Sequence, residues 1–272
     1  MLSESSNCQT LYSSGLCQTT KSKPSPDSDL IFNLYFMSNS ESFLLNNASF
    51  ALAVPLLAVF AYLSILVIIA EILSRLVKDD PELTRKVVHI GSGNVILLAW
   101  WLNISRTVIV SAAIIATAIA ITSYIMPILP SIESVGRKSF GTLFYAISMG
   151  VLASCFWRDY PQYAVIGILV MAWGDGLAAI IGQRFGKRKY QIGAIEKSWE
   201  GSFAMAGAAF IVTVSILLFT QGNSWQTWTI AIVVGVAATI CEAFSKLGID
   251  NLTVPLTSGF LCFLGVRVLL LS

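Results

Sequence analysis

The chain has 272 residues, of which 56% are hydrophobic and 12% charged, against roughly 45–50% apolar and about 25% charged in an average soluble domain. With a net charge of +2 and a mean hydropathy of +0.75, a disordered chain, a coiled coil and a nucleic-acid-binding domain with a basic footprint are excluded. Five cysteines (Cys8, Cys17, Cys155, Cys241, Cys262) form an odd set without a CxxC pair. Three lie in apolar runs and read as small hydrophobes, not as a disulfide framework or a zinc site. The remaining class is an integral membrane protein.

Residues 1–48 are rich in Ser, Asn, Gln and Thr, carry Pro24 and Pro26, and contain no Arg. Acidic Glu4, Asp27, Asp29 and Glu41 argue against a transit peptide, and no secretory signal peptide is evident. The segment is expected to be a polar, mobile tail with at most a short interfacial patch at Leu30–Met37. Residues 49–272 are expected to form the membrane-embedded domain.

A membrane helix needs about 20 mostly apolar residues. Runs at 49–74, 87–103, 107–129, 140–157, 162–182, 202–220, 226–244 and 254–271 predict an all-α polytopic protein of seven to eight spans. Most of the 17 Lys and Arg fall in the loops after spans one, three, five and seven. The positive-inside rule places those loops in the cytoplasm or its equivalent and both termini on the other side.

The same loops hold nearly all the chemically useful residues. Arg85-Lys86-Val87-Val88-His89 stands where the second span enters the membrane, and His89 is the sole histidine. Arg85 and His89 share a helix face, with Lys86 about a hundred degrees away. A plain basic anchor is the alternative. Trp173-Gly174-Asp175-Gly176 puts an acid inside an apolar run, at a cost of about 2.5–3.5 kcal/mol on insertion scales, which marks Asp175 as a functional candidate. Gly174, Ala178 and Gly182 have a small-xxx-small spacing that suits close helix packing.

The basic loop Arg184–Lys189 precedes Glu196-Lys197-Ser198-Trp199-Glu200-Gly201-Ser202. Lys197-Ser198 is expected to open the sixth helix, whose free N–H groups would suit an anion. P-loop spacing is absent. Glu242 and Lys246 are spaced for an i,i+4 pair. Asp250-Asn251 precede the last helix, with Asp250 a cap or a metal ligand, and Glu71 is explained by pairing with Arg75. Carboxylates at 175, 200, 242 and 250, cations at 85, 86 and 197, and one histidine suit phosphoryl or nucleotidyl transfer, with magnesium on the carboxylates.

Taken in order, Arg85-Lys86-x-x-His89, Gly174-Asp175-Gly176-x-Ala178-x-x-x-Gly182, Lys197-Ser198-x-Glu200-Gly201-Ser202 and Glu242…Asp250-Asn251-Leu252-Thr253-Val254-Pro255 resemble the polyprenol-type lipid kinases. These include dolichol kinases, CTP-dependent diacylglycerol kinases and the phytol and farnesol kinases, the last group being nearest. The resemblance covers about residues 50–272. It implies a CTP-dependent kinase, with magnesium as cofactor, that converts an isoprenoid alcohol such as phytol to its monophosphate for prenyl-lipid or tocopherol synthesis. The implied setting is a cyanobacterial membrane or plastid envelope, with the alcohol in the bilayer and the nucleotide reaching the site from the cytoplasmic side. On this reading Asp175, Lys197, His89 and Glu242 are catalytic. Arg85, Lys86, Gly182, Lys197, Ser198 and Gly201 bind nucleotide phosphates, and Asp175, Asp250 and Glu200 hold magnesium. The stretch Asp175–Gly201 also resembles phosphatidate cytidylyltransferases, although their HGG and Asp-Arg signature is missing. A small membrane transporter is the non-enzyme alternative.

Overall fold

The computed structural model describes residues 53–77, 80–125, 140–193 and 195–270. The tail at 1–48, the patch at Leu30–Met37, Lys78, Arg137 and Lys138 lie outside the described residues. The helices are α1 (Ala53–Leu76), α2 (Pro81–Gly93), α3 (Val95–Trp101), α4 (Arg106–Ile125), α5 (Gly141–Phe156), α6 (Pro161–Phe185), α7 (Trp199–Gln221), α8 (Trp225–Ala243) and α9 (Asp250–Leu269). Between α6 and α7 lies a hairpin of β1 (Lys189–Ile192) and β2 (Ile195–Ser198).

Six of these helices (α1, α4, α6, α7, α8 and α9) are long and apolar enough to cross a membrane. The expected count was seven to eight. Helix α5 is apolar but has 16 residues, about 24 Å at 1.5 Å per residue, short of a hydrocarbon core of about 30 Å. The run read as a second span divides at Asn94 into α2 and α3. Helix α2 also begins earlier than expected, because Asp80 accepts a hydrogen bond from the Leu83 N–H (3.0 Å) and so caps it.

Helix α6 is the axis of the described bundle. Its run Tyr163–Ala172 is buried, and it packs against α2, α5, α7 and α9. Small residues let the neighbours approach: a Cβ on Gly167 would meet the Pro255 carbonyl of α9, and one on Gly174 would meet Met205 of α7. Helices α1 and α4 sit outside, with Ile65, Ile68, Ile114 and Ile115 exposed, as suits lipid-facing surfaces. Glu71 pairs with Arg75 at 2.8 Å on the exposed side of α1, as the spacing predicts. Cys155, Cys241 and Cys262 are free thiols.

The α1–α2, α6–α7 and α8–α9 connections and the start of α5 meet at one end. Arg184 donates to Asp80 (3.3 Å), the Phe140 N–H donates to the Leu247 carbonyl (3.1 Å), and Lys197 pairs with Glu242. At the other end Trp157 donates to the Ile104 carbonyl (2.8 Å). There Arg267 donates to the Tyr160 hydroxyl (2.7 Å) and lies over its ring. Among the described residues, the basic connections that carry Arg184, Lys189, Lys197 and Lys246 therefore share one end of the bundle.

Candidate active site

Two elements, α2 and α6, bring the centre of the site together. Asp80 starts α2 so that Lys86 and His89 project toward α6, where Gly176 leaves room for Ile90 to pack. The Lys86 ammonium donates to Asp175 Oδ2 at 2.6 Å. His89 Nε2 lies 3.7 Å from the same oxygen, beyond hydrogen-bond reach, and is buried without a partner. Lys86 is 8% exposed, so the acid inside the apolar run is neutralised by a cation that is itself buried. Such a pair is costly to break, by about 3–5 kcal/mol, because one charge is then left alone.

A second pair stands nearby. Lys197 on β2 donates to Glu242 at the end of α8, and Glu242 is 5% exposed. Helix α8 ends at Ala243, so Lys246 lies past the helix end and Glu242 pairs across the bundle instead of along it. Lys197 and His89 are both close enough to Asp175 to act on its charge, and Arg85 and Asp250 likewise act on His89. The structure thus gathers Lys86, His89, Asp175, Lys197, Glu242 and Asp250 around one region.

The other expected site residues are placed differently. Arg85 is half-exposed and pairs with Glu82. Lys197 lies in a strand, and α7 begins at Trp199 with Ser198 as its cap, the Ser198 hydroxyl accepting from the Gly201 N–H (3.1 Å). Gly182 and Gly201 form the α6–α7 crossing: a Cβ on Gly201 would stand 2.9 Å from the Ala178 carbonyl, and one on Gly182 would stand 3.0 Å from the Ser198 hydroxyl. One donor at the α7 N-terminus is therefore already in use. Glu200 accepts from the Arg188 N–H (3.2 Å) beside the hairpin. Outside the membrane segments, Lys189 is held above its ordinary pKa by its hydrogen bond to Glu196.

Magnesium takes a near-octahedral shell of oxygens and usually borrows several from water and phosphate. Glu200 is committed to a backbone N–H, Asp175 to Lys86, and Asp250 to the Asn251 N–H (3.0 Å). Among the described residues no group of three His, Cys, Asp or Glu side chains could hold a metal ion. These carboxylates do not form a protein cage for the ion.

Sequence reading missed two contributors. Tyr145 of α5 stacks against His89, ring centroids 5.5 Å apart. The Lys197–Glu242 pair joins residues 45 positions apart, which no local spacing announces.

The arrangement is a site with two ammonium–carboxylate pairs, one buried and one half-buried at its lysine, an imidazole beside the first, and an apolar bundle around it. The chain is 51% identical over 205 residues to the phytol kinase of Synechocystis, covering 75% of this chain and 88% of that protein. It is 34% identical to a probable chloroplastic phytol kinase of rice, covering 66% and 64% of the two chains. It is 30% identical to a chloroplastic farnesol kinase of Arabidopsis, covering 68% and 66%. No family model matches the chain, and no solved structure matches it. The chain belongs to the phytol and farnesol kinase family, the membrane-embedded kinases of isoprenoid alcohols. The cytidylyltransferase and transporter alternatives are set aside on that ground.

Proposed function

We propose that this chain phosphorylates phytol, or a closely related isoprenoid alcohol, with CTP as donor. The observation that carries the substrate is the match to the Synechocystis phytol kinase along 88% of that protein. Buried Lys86 and half-buried Lys197 support the phosphate half of the reading. In this scheme the triphosphate enters at the end where the basic connections meet, and Lys86 and Lys197 neutralise its oxygens. Arg85 acts as an outer phosphate contact. Asp175 and Glu242 hold the two ammonium groups in place.

The alcohol oxygen attacks the γ-phosphorus, the bond from that phosphorus to the β-bridging oxygen breaks, and CDP leaves. The alcohol proton passes to His89 Nε2, which has no other partner. Magnesium enters this reading with the nucleotide, as the counter-ion of its phosphates. The site end faces the cytoplasm or its equivalent in a cyanobacterial or plastid membrane, and the product supplies prenyl-lipid synthesis such as that of tocopherol.

The test uses membranes carrying the chain, with phytol and γ-labelled CTP or γ-labelled ATP in separate tubes, and phosphatidate with α-labelled CTP in a third. Label in phytyl phosphate from CTP is the expected result. Label from ATP alone overturns the donor, and label in CDP-diacylglycerol overturns the reaction.

A further inference from the structure

Two buried polar atoms on neighbouring rings have no hydrogen-bond partner. They are His89 Nε2 and the Tyr145 hydroxyl, on rings 5.5 Å apart at 55°. The Tyr145 hydroxyl reaches the crossing of α2 and α6, where a Cβ on Gly93 would stand 3.4 Å from it and would press on Ala172. Gly93 is one helical turn past His89 on α2, and Ala172 is three residues before Asp175 on α6, so each pair shares a helix face. Helix α2 runs inward from the site end and α6 runs out toward it. The hydroxyl therefore lies about one turn deeper in the membrane than Asp175. From the site end inward the order is Lys86, then Asp175 with His89, then Tyr145, then apolar core.

We propose that the Tyr145 hydroxyl is the receptor for the hydroxyl group of the membrane-borne alcohol; this rests on the kinase reading above. An isoprenoid alcohol is apolar except for one oxygen. That oxygen has one proton and two lone pairs. Donating to His89 Nε2 and accepting from the Tyr145 O–H satisfies both orphaned atoms and leaves one lone pair free to attack phosphorus. Phosphate contacts lie on the other side, at Lys86. The two substrates thus approach from opposite ends of one polar column, the charged one from the aqueous end and the alcohol from the lipid end. A buried hydroxyl without a partner weakens a fold, and a substrate that supplies the missing bond turns that weakness into selectivity for an alcohol over an alkane.

The test is Tyr145→Phe in the full-length protein in lipid nanodiscs, assayed with phytol and with farnesol. The ring and its packing remain and only the unpartnered hydroxyl is lost. The expected result is a fall of about tenfold in kcat/KM for both alcohols, the size of one neutral hydrogen bond. KM for CTP should stay unchanged and the melting temperature should not fall. Wild-type kinetics in the variant would overturn the assignment while leaving the kinase reading intact. A lowered melting temperature with KM for CTP and for alcohol rising together would show a packing role and overturn it too. A wild-type protein inactive on both alcohols would remove the kinase reading and this assignment with it.

Discussion

Lys86 is the nearest charged partner of Asp175. Because Lys86 is buried with it, Asp175→Asn leaves an ammonium group without its counter-charge, and activity and stability should fall together. The expected activity loss is a hundredfold or more, on the order seen when a charge-positioning group is removed, with about 3–5 kcal/mol of stability. Lys86→Met with Asp175→Leu separates the two effects: the melting temperature should return toward the wild-type value while phytol phosphorylation stays absent. A double variant that melts as early as the single one would refute the pairing. Glu242→Gln should act on the nucleotide half, raising KM for CTP with KM for phytol unchanged, because it frees Lys197 from its position. Asp175 was legible in the sequence because an acid in an apolar run needs a reason. Tyr145 was not: within Phe140–Gly150 it reads as one more aromatic in an ordinary span, and only its contact with His89 across α5 and α2 reveals the unpartnered hydroxyl. Glu242 was singled out, but its partner was not legible: the spacing pointed to Lys246, and only the end of α8 at Ala243 removes that option.

The α6–α7 crossing sets how firmly the site's two halves are joined. Gly201 approaches the Ala178 carbonyl so closely that any Cβ there must push the helices apart. Gly201→Ala is therefore expected to cost about 1–3 kcal/mol, read as a lower melting temperature in detergent. Ser198→Ala should cost about 1 kcal/mol through loss of the α7 cap. The small-residue spacing Gly174, Ala178, Gly182 announced this contact before any coordinates did. The hairpin was not foreseen. The expectation was a basic loop at Arg184–Lys189 and a helix opening at Lys197-Ser198, although Tyr190-Gln191-Ile192-Gly193 and Ile195-Glu196-Lys197 alternate around a glycine. Gly193 takes φ +59° in the turn, and that alternation was the available signal. The practical effect is that Lys197 sits on a strand edge anchored by the Tyr190–Ser202 hydrogen bond (2.7 Å), a firmer mount than the first turn of a helix.

The described basic connections share one end of the bundle, and this can be read directly. In a background without native cysteines, Gln191→Cys at the hairpin and Asp159→Cys at the α5–α6 turn should react with a membrane-impermeant maleimide from opposite sides of sealed vesicles. Labelling from the same side would refute the arrangement. At this scale the sequence was informative about class and connection polarity, since composition and the clustering of Lys and Arg are properties of the whole chain. It was less informative about span count. Hydropathy alone does not see that α2 starts at its Asp80 cap or that Asn94 divides the following run.

The buried pairs also carry a schedule. Lys86 precedes Asp175 by 89 residues, and Lys197 precedes Glu242 by 45. At about 5–20 residues per second, each cation leaves the ribosome seconds before the acid that needs it. The helix that carries Asp175 therefore reaches the insertion machinery when its counter-charge is already stationed at the membrane. Deleting α2 should strand α6 during biogenesis, with the unassembled chain degraded before any question of catalysis arises.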